Sequence, residues 1–147
     1  MHLRKANKDD AEFIAGVAEE LHGSFKAVAF DKETTLDNID HFIHADDNEA
    51  MILVAEDDDG IRGVICFMLT LTPFSLEKVA CEPLFWTDGS RGSFKLLNKA
   101  YTIWAEKVGA DVTLVAAPPT RNFEKWERLY KKMGYDTLEH TFIRKVV

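Results

Sequence analysis

The residues best suited to chemistry lie at 84–94, Leu-Phe-Trp-Thr-Asp-Gly-Ser-Arg-Gly-Ser-Phe, an apolar strand that runs through a glycine- and serine-rich turn into a helix. Small residues let the backbone approach a ligand closely, and the first turn of a helix offers unpaired N–H groups and a partial positive charge to an anion. The local charge agrees. Residues 89–105 contain no Asp or Glu but carry Arg91, Lys95 and Lys99, in a chain of net charge −7. Positive charge concentrated against that background draws a polyanion to one spot. Strand-to-helix connections also use Gly and Ser for purely structural reasons, so the turn alone leaves both readings open.

Other reactive side chains form no such pattern. Cys66 and Cys81 sit in apolar, strand-like contexts without CxxC spacing and read as buried, reduced thiols. His41 and His44 read as surface histidines of a helix, and with no HxxxH or carboxylate cluster no metal is expected. A pI of about 5.2 argues against a nucleic-acid-binding face. No apolar run approaches the roughly 18 residues that span a bilayer, so no membrane partner is expected. Met1-His2-Leu3-Arg4-Lys5 leads into a charged segment unlike a signal peptide, which gives a cytoplasmic expectation. With 46% hydrophobic and 29% charged residues among 147, the composition is that of one ordinary globular domain. At that length folding buries about 70% of the surface of the unfolded chain.

The elements that must position the turn follow from periodicity. Residues 3–6 read as a first strand, and Asn7 or Asp9 can cap a helix carrying Phe13, Ile14, Val17, Ala18 and Leu21, ended by Gly23. A second helix is expected from Thr34 or Thr35, with Leu36, Ile39, Phe42 and Ile43 on one side. Strands over 51–56 and 61–71 flank Asp57-Asp58-Asp59-Gly60 as a hairpin. The next strand spans 79–87, and Pro83 within it marks a bulge or an edge. After the glycine turn, Phe94, Leu97, Tyr101, Trp104 and Val108 form an apolar stripe made to lie on a sheet, closed by Gly109. A short strand over 112–116 ends at Pro118-Pro119. A helix over 121–133 aligns Phe123, Trp126, Tyr130 and Met133 and is capped by Gly134, and a last strand is expected over 137–146. The order β-α-α-β-β-β-α-β-α-β predicts an α/β fold with helices on a mixed, mostly antiparallel sheet.

That order, with the glycine turn after the fourth strand, resembles the GCN5-related N-acetyltransferase superfamily along the whole chain. The likeness begins with Leu3-Arg4-Lys5-Ala6 and the Asp9-Asp10 helix start, and continues through Val54-Ala55-Glu56 and Gly60-Ile61-Arg62-Gly63-Val64. It ends with the helix through Trp104-Ala105-Glu106-Lys107-Val108-Gly109-Ala110 and with Leu129-Tyr130-Lys131-Lys132-Met133-Gly134-Tyr135. Small members carried by bacteriophages look nearest. In the superfamily the turn reads Gln/Arg-x-x-Gly-x-Gly/Ala and binds the pyrophosphate of acetyl coenzyme A. The matching positions are Gly89, Ser90, Arg91, Gly92, Ser93 and Phe94, of which only Gly92 fits. Arg91 can supply the missing basic residue, and Phe94 replaces a small one.

The resemblance implies direct transfer of an acetyl group to an amine, with acetyl coenzyme A as co-substrate and no metal. The amine must lose a proton, the thioester carbonyl must be polarised and the departing thiolate must be protonated. Residues 84–87 are implied to hold the cofactor arm and carbonyl, which brings in Phe85, Trp86 and Thr87. The amides of Ser90, Arg91, Gly92, Ser93 and Phe94 are implied for the phosphates. By motif position Tyr130 is the acid near the sulfur. A phenol of pKa about 10 is protonated at neutral pH, although Tyr130 also lies on the packing stripe of its helix. Glu82 is implied as base, and a solvated edge-strand glutamate is the alternative. Asn122 falls where relatives contact the cofactor arm, and can equally cap its helix. Lys95 and Lys99 read as phosphate aids or solvated side chains. The amine acceptor is unspecified, the oligomeric state is open with a homodimer among the options, and the alternative function is a catalytically weak coenzyme A-binding or regulatory module.

Overall fold

The computed structural model describes residues 1–23, 28–73, 75–117, 122–139, 144 and 146. The chain opens with β1 (His2–Lys5) and one 3-10 turn (Lys8–Asp10). Asn7 caps that turn: its side chain accepts from the Asp9 amide at 2.8 Å, while Asp10 Oδ2 accepts from the Asn7 amide at 2.8 Å. Helix α1 (Ala11–His22) follows, and the Gly23 amide closes it on the Glu19 carbonyl. Helix α2 (Lys32–His44) starts ahead of the predicted Thr34 or Thr35, because Asp31 Oδ1 accepts from the Thr34 amide at 2.7 Å and caps the helix earlier.

The sheet runs β1-β2-β3-β4-β5 in space, with β2 (Ala50–Asp57), β3 (Gly60–Leu71), β4 (Lys78–Thr87) and β5 (Val112–Thr113). β1 to β4 form antiparallel pairs, and β5 adds a parallel pair. Gly60, at φ 120°, makes the hairpin turn possible. The predicted mixed sheet is therefore present. α1 and α2 cover one face through Ile14, Ala15 and Ile39 against Ile52, Val54, Val64 and Cys66. Helix α3 (Ser93–Lys107) covers the other, packing Leu97, Tyr101, Trp104 and Ala105 on Ala55, Ile65, Phe67 and Ala80. Cys66 is buried as predicted, Cys81 is half-buried, and both are free thiols.

Two close fits set α3 in place. A Cβ built on Gly63 of β3 would stand 2.7 Å from Leu97 Cδ1, 3.1 Å from the Trp86 carbonyl oxygen and 3.2 Å from Thr87 Cγ2. The Trp104 indole N–H donates to the Asp47 carbonyl at 2.6 Å, which ties the far end of α3 to the loop before β2. Helix α4 (Phe123–Lys132) buries only Tyr130 and ends at Gly134, φ 90°, the left-handed residue expected there.

Three expected boundaries change. β5 stops at Thr113 instead of Ala116, because the chain there leaves β4. α4 begins at Phe123, and Arg121 lies outside the described residues, as do Pro118 and Pro119. Of the last strand expected over 137–146, residues 137–139 are in no strand, and 140–143 and 145 lie outside the described residues. Thr137 Oγ1 donates to Glu127 Oε1 of α4 at 3.3 Å, which draws this stretch to the helix.

Candidate active site

The site is built where β4 and β5 part. The two strands pair only at Val79 with Val112 and Ala80 with Thr113. Leu114 makes the last backbone–backbone bond among the described residues: its N–H donates to the Ala80 carbonyl at 2.8 Å, and its carbonyl accepts from the Tyr101 hydroxyl at 2.9 Å. The register of β4 against β3 then shifts between Cys66 and Met68, so that Glu82 and Pro83 together stand opposite Phe67. This is the bulge signalled by Pro83. A bulge bends its strand and re-aims side chains, and proline has no N–H to extend the ladder.

Beyond the bulge the outer edge of β4 has no strand partner among the described residues. The Asp88 amide donates to the Arg62 carbonyl of β3 at 3.0 Å. The alternation of an antiparallel pair then turns the backbone groups of Leu84 and Trp86 toward β3, and those of Phe85 and Thr87 to the free edge. Phe85 and Thr87 are thus brought to the site. Trp86 is not, because β3 uses its backbone and its ring packs edge-on against Phe13 of α1 at 5.7 Å.

Glu82 stands in the gap. Its Oε1 accepts from the Ala116 amide at 2.6 Å, across the opening between the two chain segments. Burial pushes its carboxyl up to about 7, against the opposing pull of the Ala116 N–H. The carboxyl is poised to exchange a proton near neutral pH. Tyr130 of α4 shares this space. Burial first, then the charges of Glu82 and Tyr135, push its phenol above the ordinary tyrosine value. Tyr135 meets the Tyr130 ring edge-on at 5.5 Å, and Trp126 stacks on it at 6.0 Å. The two residues named for catalysis, 48 positions apart in sequence, lie near enough for the Glu82 charge to act on the buried Tyr130 phenol.

The glycine turn takes the expected conformation with a partner that the sequence reading missed. Gly89 and Gly92 have φ of 85° and 91°, and Gly92 is the N-cap of α3. Asp88 Oδ1 accepts from the Ser90 amide at 2.8 Å and from the Ser90 hydroxyl. The Ser90 carbonyl accepts from the Ser93 amide at 3.3 Å and the Ser93 hydroxyl at 2.9 Å. Two of the five amides assigned to phosphate binding, those of Ser90 and Ser93, are therefore spent on the turn itself. Those of Arg91, Gly92 and Phe94 have no acceptor among the described residues. A Cβ built on Gly89 or Gly92 meets nothing within 4 Å, and Arg91 and Lys95 are exposed beside the turn. These groups fit an anion of pyrophosphate type. The Asp88 carboxylate also holds Arg62 Nη1 at 3.2 Å, and Arg62 is gripped in turn by Asp57 and Asp59. Asp88-Gly89-Ser90 is a sequence an Asx turn uses, which is the signal that marks Asp88.

Asn122 is the N-cap of α4 and its carbonyl accepts from Lys125 and Trp126, but its side chain makes no capping bond. His41 and His44 are exposed, with ring Nδ1 against the Asp37 and Asp40 carbonyls one turn back. Lys99 is exposed on the outer side of α3.

No protein-family model matches the chain, and no curated protein matches it by sequence. Solved structures do match. A predicted acetyltransferase from Clostridium acetobutylicum, solved with acetyl-CoA, is 14% identical over 98% of this chain and 95% of its own, with a TM-score of 0.74. A ribosomal-protein-alanine N-acetyltransferase from Brucella melitensis biovar Abortus 2308 is 15% identical over 99% and 98%, at 0.70. AAC(6')-Iy, in complex with a bisubstrate analogue built on CoA, is 17% identical over 99% and 98%, at 0.72. The chain has the fold of these acetyltransferases, the GCN5-related N-acetyltransferase fold that its sequence resembles.

Proposed function

We propose that the protein is an N-acyltransferase that moves an acetyl group from acetyl coenzyme A to a primary amine of a small molecule or protein. The observation that carries this reading is the poised Glu82 carboxyl at the open edge of β4, with Tyr130 beside it and an anion cradle at the end of the same strand. When bound, acetyl coenzyme A supplies the acyl group as a thioester. The free amides of Arg91, Gly92 and Phe94 hold its phosphates, aided by Arg91 and Lys95, and the edge groups of Phe85 and Thr87 hold its arm. Glu82, ionised to a useful fraction near pH 7, takes the proton that the attacking amine must lose. Tyr130 keeps its proton at neutral pH and presents it as a hydrogen bond to the leaving sulfur. Its raised pKa exceeds the value near 8.5 of an ordinary thiol, so it stabilises the departing thiolate by hydrogen bonding and keeps its own proton. The cytoplasmic location expected from sequence accords with this chemistry.

Calorimetric titration with acetyl coenzyme A tests the reading, followed by a thiol-release assay over a panel of amines. Binding with turnover on at least one amine is expected, and absence of binding at millimolar ligand overturns it. One observation favours a second reading, a coenzyme A-binding module with little turnover. Asp88 places a negative charge on the cradle and occupies one of its amides. Binding without thiol release on any amine would select that reading.

A further inference from the structure

A donor with its phosphates on the cradle and its reacting end at Glu82 and Tyr130 must pass along the free edge of β4, beside Phe85. A side chain of the protein packs against that path. Phe94, whose amide belongs to the cradle, turns its ring inward and stacks on Phe85 at 5.0 Å, with the planes 8° apart. The same ring meets Trp126 edge-on at 5.3 Å and Tyr130 at 6.1 Å, so it bridges β4 and α4. One helical turn further, on the same side of α3, lies Asn98. It is 5% exposed, and its Oδ1 is buried without a hydrogen-bond partner among the described residues. Such an atom is costly unless a donor reaches it in another state of the molecule. α3 therefore presents a ring and, one turn along the same side, an unsatisfied acceptor.

We propose that Phe94 is a gate on the donor channel and that Asn98 Oδ1 is the acceptor uncovered when the gate opens, taking an N–H of the amide-bearing arm of coenzyme A. The proposal rests on the acyltransferase reading. Phe94 stands one residue into the helix that forms the cradle, so ligand phosphates on its amide and rotation of its side chain are adjacent events. A ring closed nine-tenths of the time lowers apparent affinity about tenfold relative to a chain without it. Asn98 also sets donor specificity. A donor whose arm satisfies Asn98 gains a hydrogen bond, and a purely aliphatic thioester leaves that oxygen orphaned.

Calorimetry with coenzyme A on the intact chain tests this with Phe94→Ala, Phe94→Leu and Asn98→Leu, each checked for folding by its thermal melt. Phe94→Ala is expected to bind about tenfold more tightly than the parent, with Phe94→Leu between them, because a leucine keeps the packing and loses the ring stack. Asn98→Leu should bind more weakly while melting no lower than the parent, since it removes an unsatisfied polar atom. Trp126 fluorescence should change on ligand addition in the parent and lose most of that change in Phe94→Ala. Equal or weaker binding by both Phe94 variants overturns the gate, and an unaltered affinity in Asn98→Leu overturns its role as acceptor. If no variant, nor the parent, binds coenzyme A, the acyltransferase reading fails and the gate with it.

Discussion

Asp10 and Glu82 are both carboxylates withdrawn from water, and they are held in opposite ways. Asp10, 7% exposed, takes two bonds from the Arg4 guanidinium at 2.7 and 2.9 Å and one from the Asn7 amide. Arg4 extends the cluster to Glu56 at 2.8 Å. The Arg4 bonds hold the Asp10 carboxyl below the usual aspartate range, although burial alone would raise it. Among the described residues Glu82 has one backbone N–H and no cation, so burial prevails and its carboxyl rises to about 7. A carboxylate met by a cation is committed to holding β1 on α1. One left half-satisfied stays free to take and return protons.

The two carboxylates should therefore respond differently to the same kind of change. Glu82→Gln is expected to lower kcat/KM by about 100-fold or more, the scale of a lost general base, while leaving the melting temperature within a few degrees. A variant with parental kcat/KM would remove Glu82 from the chemistry. Tyr130→Phe should lower kcat about tenfold and change the coenzyme A Kd less than twofold, because it deletes a hydrogen bond that strengthens as the thiolate forms. Equal losses in both constants would make Tyr130 a packing residue. Asp10→Asn should cost about 2 kcal/mol, a fall of roughly 6 °C in Tm by circular dichroism, with kcat/KM unaltered.

The smallest effects lie in pH dependence, and their signs oppose. Asp10 has a lowered folded pKa, so the stability it contributes is present above the ordinary value of 3.8 and is lost as pH falls below it. Glu82 has a raised folded pKa. Its contribution is full below the ordinary 4.5 and is lost as pH climbs to about 7, the range in which the parent kcat/KM should rise. Denaturant titrations between pH 3 and 8 on the parent and the two variants read both limbs. Glu82→Gln should flatten the upper limb and abolish the rise in kcat/KM, and Asp10→Asn should flatten only the lower one.

What the sequence made legible was local. The strand, glycine turn and helix at 84–94 are contiguous, and Pro83 announces its own bulge because it cannot extend a ladder. Glu82 and Tyr130 emerged through the family resemblance. Contacts between distant residues stayed hidden. No spacing rule puts the Ala116 amide on Glu82, 34 positions away, or Arg62 on Asp88, 26 away. The resemblance implies 84–87 as a block, and which of its backbone groups face the edge is hidden from sequence, because that phase depends on where the ladder with β3 is pinned. Phe94 was read as a misfit in a motif, since its stacking on Phe85 exists only once β4 and α3 are laid together.

Gly63 carries a consequence beyond its own strand. The space a methyl group would need there is already filled by Leu97, Trp86 and Thr87, so the hydrogen atom in its place acts as a gauge for the height of α3 above the sheet. The first turn of that helix forms the cradle, and its first inward ring is Phe94. A single added carbon on the third strand would thus have to be absorbed by the buried Leu97 side chain, so its cost is read at the base of α3 and not on the strand that carries it.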